Sequence, residues 1–443
     1  MKAEHWRFDA DGTADAAGRS FAPASLLVTP VALPGVDWRW ELLAIGSPGE
    51  IDRHPAAGAV DRENRRRLAG KVIIPGLVNA HAHFDLTHVG PRPYDAGRGF
   101  VGWAMGTVRP NRAKTIEAAL DSWDRGAALS LAGGVVAVGD IVADVPGASP
   151  DARVVIRERA AARFGGMCRA FAEVFGIGRS LERGIESLRT LARAGCPLQP
   201  HAPYSAAPGL YREAMACAAA AAEAFVCTHL AETLGERRFV EHGNGAFREL
   251  LETIGLWQGA ADAGVGRGLH PIEHFSRCAS DRDARVRVLA AHVNDCPDTQ
   301  MGHLLRARVS VAYCPRAHEY FHHPETTGPH RYREMLAAGV NVCLGTDSII
   351  NLPREQADRI SVLDDMRLLF RRDGADPRML LAMGTVNGAL ALGLDPGAFE
   401  LRPGVVAGLV AVEVGSSPDN PLKRVMKSDG VPVLLRHRSG GGA

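Results

Sequence analysis

The feature that most constrains this chain is an alternation, repeated eight times, of short apolar β-prone runs with longer segments of helical spacing. The helical segments are rich in Ala, Leu, Arg and Glu, and such alternation is typical of parallel strands covered by helices. Eight units over roughly 300 residues suit a (β/α)₈ barrel, which commonly takes about 250 residues and tolerates insertions. The strand candidates are residues 77–83, 134–141, 167–174, 197–201, 224–230, 287–293, 309–314 and 340–344.

An open, doubly wound parallel sheet is the competing topology. Such sheets bind dinucleotides through a G-x-G-x-x-G turn, and neither Gly176/Gly178 nor Gly264/Gly266 completes that pattern. Both chain ends differ from the middle, because short apolar pieces there are split by Gly, Pro and Asp, which predicts strands joined by turns. We therefore expect an α/β barrel flanked by two β-rich ends.

Charge and cysteine content exclude several classes of function. Lys+Arg 51 against Asp+Glu 50 leaves a net charge of +1, so neither nucleic acid nor a membrane surface is an expected partner. The 8 cysteines include no C-x-x-C pair, which argues against a disulfide scaffold or a zinc knuckle. No apolar run is long enough to span a bilayer. We expect a cytoplasmic protein that acts on a small molecule, with a homo-oligomer left open.

The first motif with chemical content is His81-Ala82-His83, at the end of the first strand candidate. Side chains two residues apart on a strand point to the same face, so both imidazoles can share one metal ion. The alternative is a pair of structural histidines at a strand end. The motif alone does not decide between them.

Two further strand ends offer a histidine or a carboxylate. His229 ends a strand candidate and Glu232 follows it, which places a ligand beside an acid/base group. Asp347, in L-G-T-D-S, offers an oxygen ligand that can also accept a proton. Taken singly, Glu232 is better explained by the first turn of a helix and Asp347 by a helix N-cap.

His292 and His201 lie at two more strand ends. His292 could hydrogen-bond developing negative charge, but each of them singly is better explained as an ordinary buried histidine. The coincidence favours a site, because five separated strand ends offer His or Asp where catalytic residues of barrels collect. In contrast, the crowded His318, His322, His323 and His330 are better explained as an exposed loop than as substrate contacts.

Other catalytic classes lack their motifs. The sequence contains no H-E-x-x-H, no G-x-S-x-G and no G-K-[ST] phosphate loop. It also lacks the H-x-E with P-C-x-x-C of zinc nucleobase deaminases that flip a base. Cys314 is best explained as a buried thiol.

Five segments together resemble the amidohydrolase superfamily: P-G-L-V-N-A-H-A-H, P-H-A-P-Y-S, H-L-A-E-T, A-Y-C-P-R and L-G-T-D-S, in that order. More narrowly, the chain resembles the branch of S-adenosylhomocysteine and methylthioadenosine deaminases, aminodeoxyfutalosine deaminase and triazine dechlorinases. The resemblance runs from about Val72 to Leu394. It implies a (β/α)₈ TIM barrel of residues 76–395 with a small β-sandwich built from residues 1–75 and 396–443.

The resemblance also implies a site with one divalent metal ion. Zinc suits three histidines and an aspartate with an open position, and iron and manganese are alternatives. The implied metal ligands are His81, His83, His229 and Asp347. The implied catalytic groups are Glu232 as proton shuttle, His292 as the residue that orients water or stabilises the intermediate, and Asp347. The implied substrate contacts are His201, Arg316 and His318.

The implied reaction is metal-dependent hydrolysis of a C–N bond, the deamination of an aminopurine nucleoside-like compound of the aminodeoxyfutalosine or adenosine type. A dechlorinase or a cyclic amide hydrolase on the same scaffold, and a non-catalytic binding protein, are the alternatives. Where relatives show L-E-x-S, this chain has Phe84-Asp85-Leu86-Thr87, a departure that bears on the substrate. No lysine lies between Lys114 and Lys423, so a lysine-bridged two-metal centre cannot form on the barrel strands after the first.

Overall fold

The computed structural model describes residues 4–415, 417 and 419–437. Within them, strands form two eight-stranded sheets. The strands are β1 (His5–Ala14), β2 (Ser20–Phe21), β3 (Ala24–Pro30), β4 (Trp40–Gly46), β5 (Val60–Pro75), β6 (Leu77–Ala82), β7 (Val135–Val142), β8 (Cys168–Val174), β9 (Leu198–Pro200), β10 (Phe225–Leu230), β11 (Arg287–His292), β12 (Val309–Tyr313), β13 (Val342–Leu344), β14 (Gly404–Val406), β15 (Leu409–Glu413) and β16 (Pro432–Leu434).

Helices cover the second sheet and connect its strands. The α-helices are α1 (Pro48–Asp52), α2 (Gly99–Trp103), α3 (Arg109–Asn111), α4 (Ile116–Ala132), α5 (Ala152–Arg163), α6 (Leu181–Arg193), α7 (Pro208–Ala220), α8 (Leu234–His242), α9 (Ala246–Thr253), α10 (Ala260–Ala263), α11 (Pro271–Ala279), α12 (Asp298–Arg306), α13 (Pro315–Tyr320), α14 (His323–Thr326), α15 (Tyr332–Ala337), α16 (Val362–Asp373), α17 (Pro377–Met383), α18 (Val386–Ala391) and α19 (Pro421–Lys427). Across the described ranges, no helix is both long enough and apolar enough to cross a membrane.

The first sheet curls around its own small core and takes strands from both chain ends. Its order is β14-β4-β3-β1-β5-β15-β16, and β2 pairs with β1. The side chains of Trp6, Phe8 and Trp40 form the centre of its core, with ring centroids 5.3 to 6.4 Å apart. Trp6 and Phe8 share one face because they lie two residues apart on a strand. The sequence-based domain limits at 75/76 and 395/396 stay a prediction, and residues 438–443 lie outside the described residues.

The second sheet contains β6 to β13 in chain order, and all its neighbouring strands are parallel. These are the eight strands expected from the sequence, with ends that differ by two residues at most. The strands are mostly apolar, and β7 is buried along its whole length, because helices cover the outside and side chains fill the inside. The predicted TIM-barrel fold class is confirmed.

The barrel closes between β13 and β6, at residues of the candidate site. The amides of Thr346 and Asp347 donate to the His81 carbonyl at 3.0 and 3.1 Å. The Asn79 side chain bonds Thr346 in both directions, donating at 2.7 Å and accepting at 3.1 Å. Gly345 lets the strands approach closely, since a Cβ there would lie 2.8 Å from the His81 Cβ. Closure of the fold and placement of His81 and Asp347 therefore depend on the same contacts.

Candidate active site

The predicted metal ligands meet at the carboxyl ends of the barrel strands, where barrel enzymes place their catalytic groups. His81 lies in β6 and His83 directly follows that strand, His229 lies in β10, and Asp347 follows β13. All four side chains are buried, and that of His81 is 0% exposed. His292, the last residue of β11, lies beside them with its ring centroid 5.4 Å from that of His229.

Distances within this cluster fit the coordination of a metal ion. His83 Nε2 lies 3.3 Å from His229 Nε2 and 3.4 Å from Asp347 Oδ1, while His81 Nε2 lies 3.7 Å from Asp347 Oδ1. A tetrahedral zinc ion with bonds of about 2.0–2.1 Å separates its ligand atoms by about 3.3–3.4 Å. Two sets of side chains could each hold a metal ion, with ligand atoms within 4.8 Å of one another. They are His81 with His229 and His292, and His81 with His83 and Asp347.

A backbone contact orients the ring of His229 toward the cluster, whereas ring nitrogens of His81 and His83 are unpartnered among the described residues. The His229 Nδ1 lies 3.1 Å from the His201 carbonyl oxygen, which only accepts; a proton on Nδ1 donates to that oxygen and leaves the lone pair of Nε2 for a metal ion. Both ring nitrogens of His81 and the Nδ1 of His83 are buried without a partner among the described residues. Burial lowers the pKa of His83 and His229 well below the usual value, which favours the neutral form that binds metals.

Backbone strain is concentrated around the same centre. Asp347 has φ 56, and the φ values of His292, Val293 and Ala231 are 71, 54 and 50. A β-branched or bulky residue in this left-handed region is uncommon and costs free energy, and such strain is often found at functional sites. Burial alone would raise the pKa of Asp347, but the surrounding imidazoles of His81, His83 and His292 hold it well below the usual range.

Glu232 is placed beside His292 and held by a second buried carboxylate. Its Oε1 lies 3.6 Å from His292 Nε2, and the side chain is 5% exposed. The amides of Ala231 and Glu232 donate to the Glu236 carboxylate at 2.8 and 2.9 Å, which fixes the turn after β10. Burial, with the negative charges of Asp347 and Glu236, raises the pKa of Glu232 well above its usual value. Burial therefore favours the protonated form of Glu232.

Glu236 is absent from the predicted site residues. The sequence signal for it was its position four residues after Glu232, in the first turn of the following helix. In sequence it resembles the acidic first turn of many helices. In the structure it is 0% exposed and begins α8 together with the Thr233 N-cap, whose hydroxyl accepts from the Glu236 amide at 3.0 Å. Its role is to position the Glu232 backbone.

His201 follows β9 and borders a polar group that includes Glu173 and Arg112. Its Nδ1 lies 2.6 Å from the Ser205 hydroxyl, and its Nε2 lies 3.7 Å from Glu173 Oε1. Arg112 donates to Glu173 Oε2 at 2.7 Å. Glu173 and Arg112 are also absent from the predicted site residues. The signal for Glu173 was a lone charge in the apolar run A-F-A-E-V of β8.

The Arg316 guanidinium bonds to other protein groups and not to the cluster of metal ligands. Its Nε and Nη2 donate to Asp365 at 3.1 and 2.8 Å, Nη2 also donates to the Ser361 carbonyl at 2.9 Å, and Nη1 donates to Gln356 at 3.2 Å. Four of its five N–H donors are thus satisfied internally. Most of its donors are therefore engaged within the protein, and the substrate contact that the resemblance implies for Arg316 stays a prediction.

The expectation of an exposed histidine loop after Cys314 is wrong for three of its four members. His318, His323 and His330 are 1%, 4% and 5% exposed, whereas the His322 side chain is 49% exposed. They are buried because the loop folds back onto β12, where the His330 ring stacks on Tyr313 at 3.7 Å. His330 Nε2 donates to the His292 carbonyl at 2.8 Å. The ring nitrogens of His318 have no partner among the described residues, which leaves them available to a ligand. The predicted substrate contact by His318 stays a prediction.

A cavity of about 630 Å³ is lined by Arg316 among others, and by none of the predicted metal ligands. Its wall includes Tyr94, Tyr320 and Asn351, and the Asn351 side chain donates to Asp347 Oδ2. The cavity thus reaches a residue in direct contact with the proposed metal ligand.

The sequence model of the amidohydrolase family matches residues 72–433. The chain belongs to the amidohydrolase family. The match begins within β5 and extends past the barrel into β16. The predicted assignment to amidohydrolase hydrolases is thereby confirmed, and members of this superfamily bind a divalent metal ion.

The proteins similar to this amidohydrolase include two deaminases and a chlorohydrolase. It is 25% identical over 394 residues to a 5-methylthioadenosine/S-adenosylhomocysteine deaminase of Syntrophomonas wolfei, covering 84% of this chain and 78% of the relative. The crystal structure of Helicobacter pylori aminofutalosine deaminase is similar in fold, with a TM-score of 0.71 at 17% identity and 98% of each chain covered. Atrazine chlorohydrolase of Arthrobacter aurescens, complexed with zinc, has a TM-score of 0.70 at 19% identity, covering 97% of this chain and 93% of that one.

Proposed function

We propose that this amidohydrolase deaminates an aminopurine nucleoside-like compound of the adenosine or aminodeoxyfutalosine type. The observation that carries the proposal is a buried acid, Glu232, 3.6 Å from His292 and beside the His81, His83, His229 and Asp347 cluster. The named activity of the Syntrophomonas wolfei relative supports this substrate class. Hydrolytic deamination replaces the amino group with oxygen from water and releases ammonia.

The proposed cofactor is one divalent ion, zinc, held by His81, His83, His229 and Asp347, with iron or manganese as alternatives for the same ligands. The ligand-to-ligand distances and the unpartnered imidazole nitrogens support this assignment. When bound, such an ion is a Lewis acid that lowers the pKa of water from 15.7 toward about 7.

The side chains around the cluster would divide the proton transfers. Glu232 holds a proton on its buried carboxyl and donates it to a nitrogen of the heterocycle as water adds to the neighbouring carbon. Asp347 accepts the proton that the attacking water loses, and His292 hydrogen-bonds the oxygen that develops negative charge. His201 contacts the substrate from the adjacent strand end. Asp347 then passes its proton to the amino group, the C–N bond breaks to release ammonia, and the proton of the added hydroxyl returns to Glu232 as the C=O bond forms.

Glu232→Gln tests this division of roles. We expect the variant to bind zinc as the wild type does, because Glu232 is not a proposed ligand, and to lose about 10²–10⁴-fold in kcat. Glu213→Gln is the matched control, since Glu213 lies on an outer helix and pairs there with Arg189. The measurements are elemental analysis and ammonia release from adenosine, 5′-methylthioadenosine and aminodeoxyfutalosine.

Two results would contradict the proposal. Full turnover by Glu232→Gln would remove Glu232 from the reaction. Release of chloride from chlorotriazines, with no ammonia from any aminopurine, would favour the dechlorinase alternative.

A further inference from the structure

Glu173 is a buried carboxylate with one oxygen satisfied and one oxygen free. It lies near the carboxyl end of β8, is 1% exposed, and accepts from Arg112 through Oε2 at 2.7 Å. Its Oε1 is buried without a hydrogen-bond partner among the described residues. Leaving a buried acceptor of this kind unsatisfied is costly, and nearly all such atoms in folded proteins have a partner. A donor from a bound molecule would supply that partner.

The free oxygen of Glu173 lies next to His201, and His201 in turn lies next to the proposed metal ligand His229. Glu173 Oε1 lies 3.7 Å from His201 Nε2, and the His201 ring lies 4.9 Å from that of the proposed ligand His229. Phe175, directly after β8, is 45% exposed although it is a large apolar residue, and its ring lies 4.6 Å from that of His201. Small-molecule sites are lined mainly by apolar and aromatic side chains with a few polar groups, and Phe175 and Glu173 would supply one of each kind.

Arg112 fixes both the charge and the orientation of Glu173. Burial by itself would raise the pKa of this carboxyl, but Arg112 and, to a lesser extent, His201 and Arg153 hold it below its usual value. The ionised carboxylate only accepts hydrogen bonds, and Arg112 only donates them. The free oxygen therefore selects a hydrogen-bond donor.

We propose that Glu173 is a specificity-determining residue that accepts a hydrogen bond from a ribose hydroxyl of the substrate. This inference rests on the proposed function. A purine nucleoside of the adenosine type has one N–H group on its base, the exocyclic amine, and that amine must lie at the metal cluster to be removed. In adenosine and 5′-methylthioadenosine the only other donors are ribose hydroxyls, so a donor that reaches Glu173 in these compounds comes from the sugar.

The consequence is discrimination against deoxynucleosides, and Glu173→Gln tests it. In this variant the amide oxygen turns toward Arg112, so the amide NH₂ replaces the acceptor that faces the substrate. We expect the wild type to prefer adenosine over 2′-deoxyadenosine or 3′-deoxyadenosine by about 10–100-fold in kcat/KM, the value of one charged hydrogen bond. Glu173→Gln should lose that factor on adenosine, reduce the preference to less than about 3-fold and retain zinc.

The control and the contradicting results are as follows. Glu213→Gln removes a carboxylate from an exposed pair with Arg189, and we expect its preference to equal that of the wild type. Equal turnover of adenosine and both deoxynucleosides by the wild type would overturn the inference and leave the proposed function standing. A preference retained in Glu173→Gln would do the same. No ammonia from any aminopurine would overturn both. The wild-type comparison needs no variant, so it decides even where Glu173→Gln does not fold.

Discussion

Replacement of Arg316 by methionine separates two roles for this residue, substrate contact and support of the fold. The Arg316 side chain is 5% exposed and Asp365 is 0% exposed, and two hydrogen bonds of 3.1 and 2.8 Å join them. Arg316→Met removes one partner of this buried pair and leaves the carboxylate uncompensated. Such a change costs about 3–5 kcal/mol in the free energy of unfolding. We expect a loss of that size with zinc content unchanged.

The pH dependence of the loss provides an internal check. Burial raises the pKa of Asp365 even with Arg316 present. Without Arg316 the folded variant therefore binds a proton that the unfolded chain releases near the ordinary pKa. Stability of the variant then falls as pH rises through the folded pKa of Asp365. The deficit relative to the wild type should be smaller at pH 5 than at pH 8.

Urea denaturation at pH 5 and pH 8 measures this loss of stability. Two further variants serve as comparisons. Arg316→Met combined with Asp365→Leu should recover at least half of the loss, because apolar residues can replace a buried ion pair at little cost. Arg371→Met removes an exposed pair with Asp429 and should cost less than about 1 kcal/mol. Wild-type stability of Arg316→Met with a KM raised tenfold or more would refute this reasoning. It would support the substrate contact implied by the sequence.

Three other predictions concern the metal cluster. Removal of metal with a chelator should abolish ammonia release and lower Tm, and one equivalent of zinc should restore both; Tm unchanged by chelation would contradict a bound ion. Gly345→Ala should weaken zinc binding in a competition titration, because its Cβ would lie 2.8 Å from the His81 Cβ, whereas Gly49→Ala meets nothing within 4 Å and should not. His330→Phe removes the bond to the His292 carbonyl and should lower kcat more than it raises KM; unchanged kcat would assign His330 to packing alone.

The barrel could be predicted from the sequence because its strands carry a strong local signal. Strands such as β7 are buried on both faces and are mostly apolar, with Asp140 the one charged residue of β7, so their composition and length identify them. The end sheet was harder to predict in detail. In β1, charged Arg7 and Asp9 alternate with Trp6 and Phe8, and the arginine is buried only because Asp9 and Asp52 pair with it. That pairing depends on a residue 45 positions away.

The candidate site shows the same division between local and distant information. His81 and His83 could be paired from their spacing alone, since a strand turns alternate side chains to one face. Glu173 and Arg316 could not be assigned in this way, because their partners Arg112 and Asp365 lie 61 and 49 positions away. Glu173 therefore lies beside the candidate site although no sequence motif indicated it. Arg316 was assigned to the site by a motif, although most of its N–H groups bond to other protein groups.

The number of metal ions that the site can hold depends on whether a carboxylate near the cluster is free to bridge two of them. A second ion needs a bridging carboxylate, and no lysine between Lys114 and Lys423 can supply one by carbamylation. Two buried carboxylates nearby are engaged at least in part: the Arg112 guanidinium holds one oxygen of Glu173, and two backbone amides hold Glu236. Both possible ligand sets among the described residues also include His81, so they converge on one position. These contacts support the proposal of a single ion, and two equivalents of tightly bound zinc per chain would contradict it.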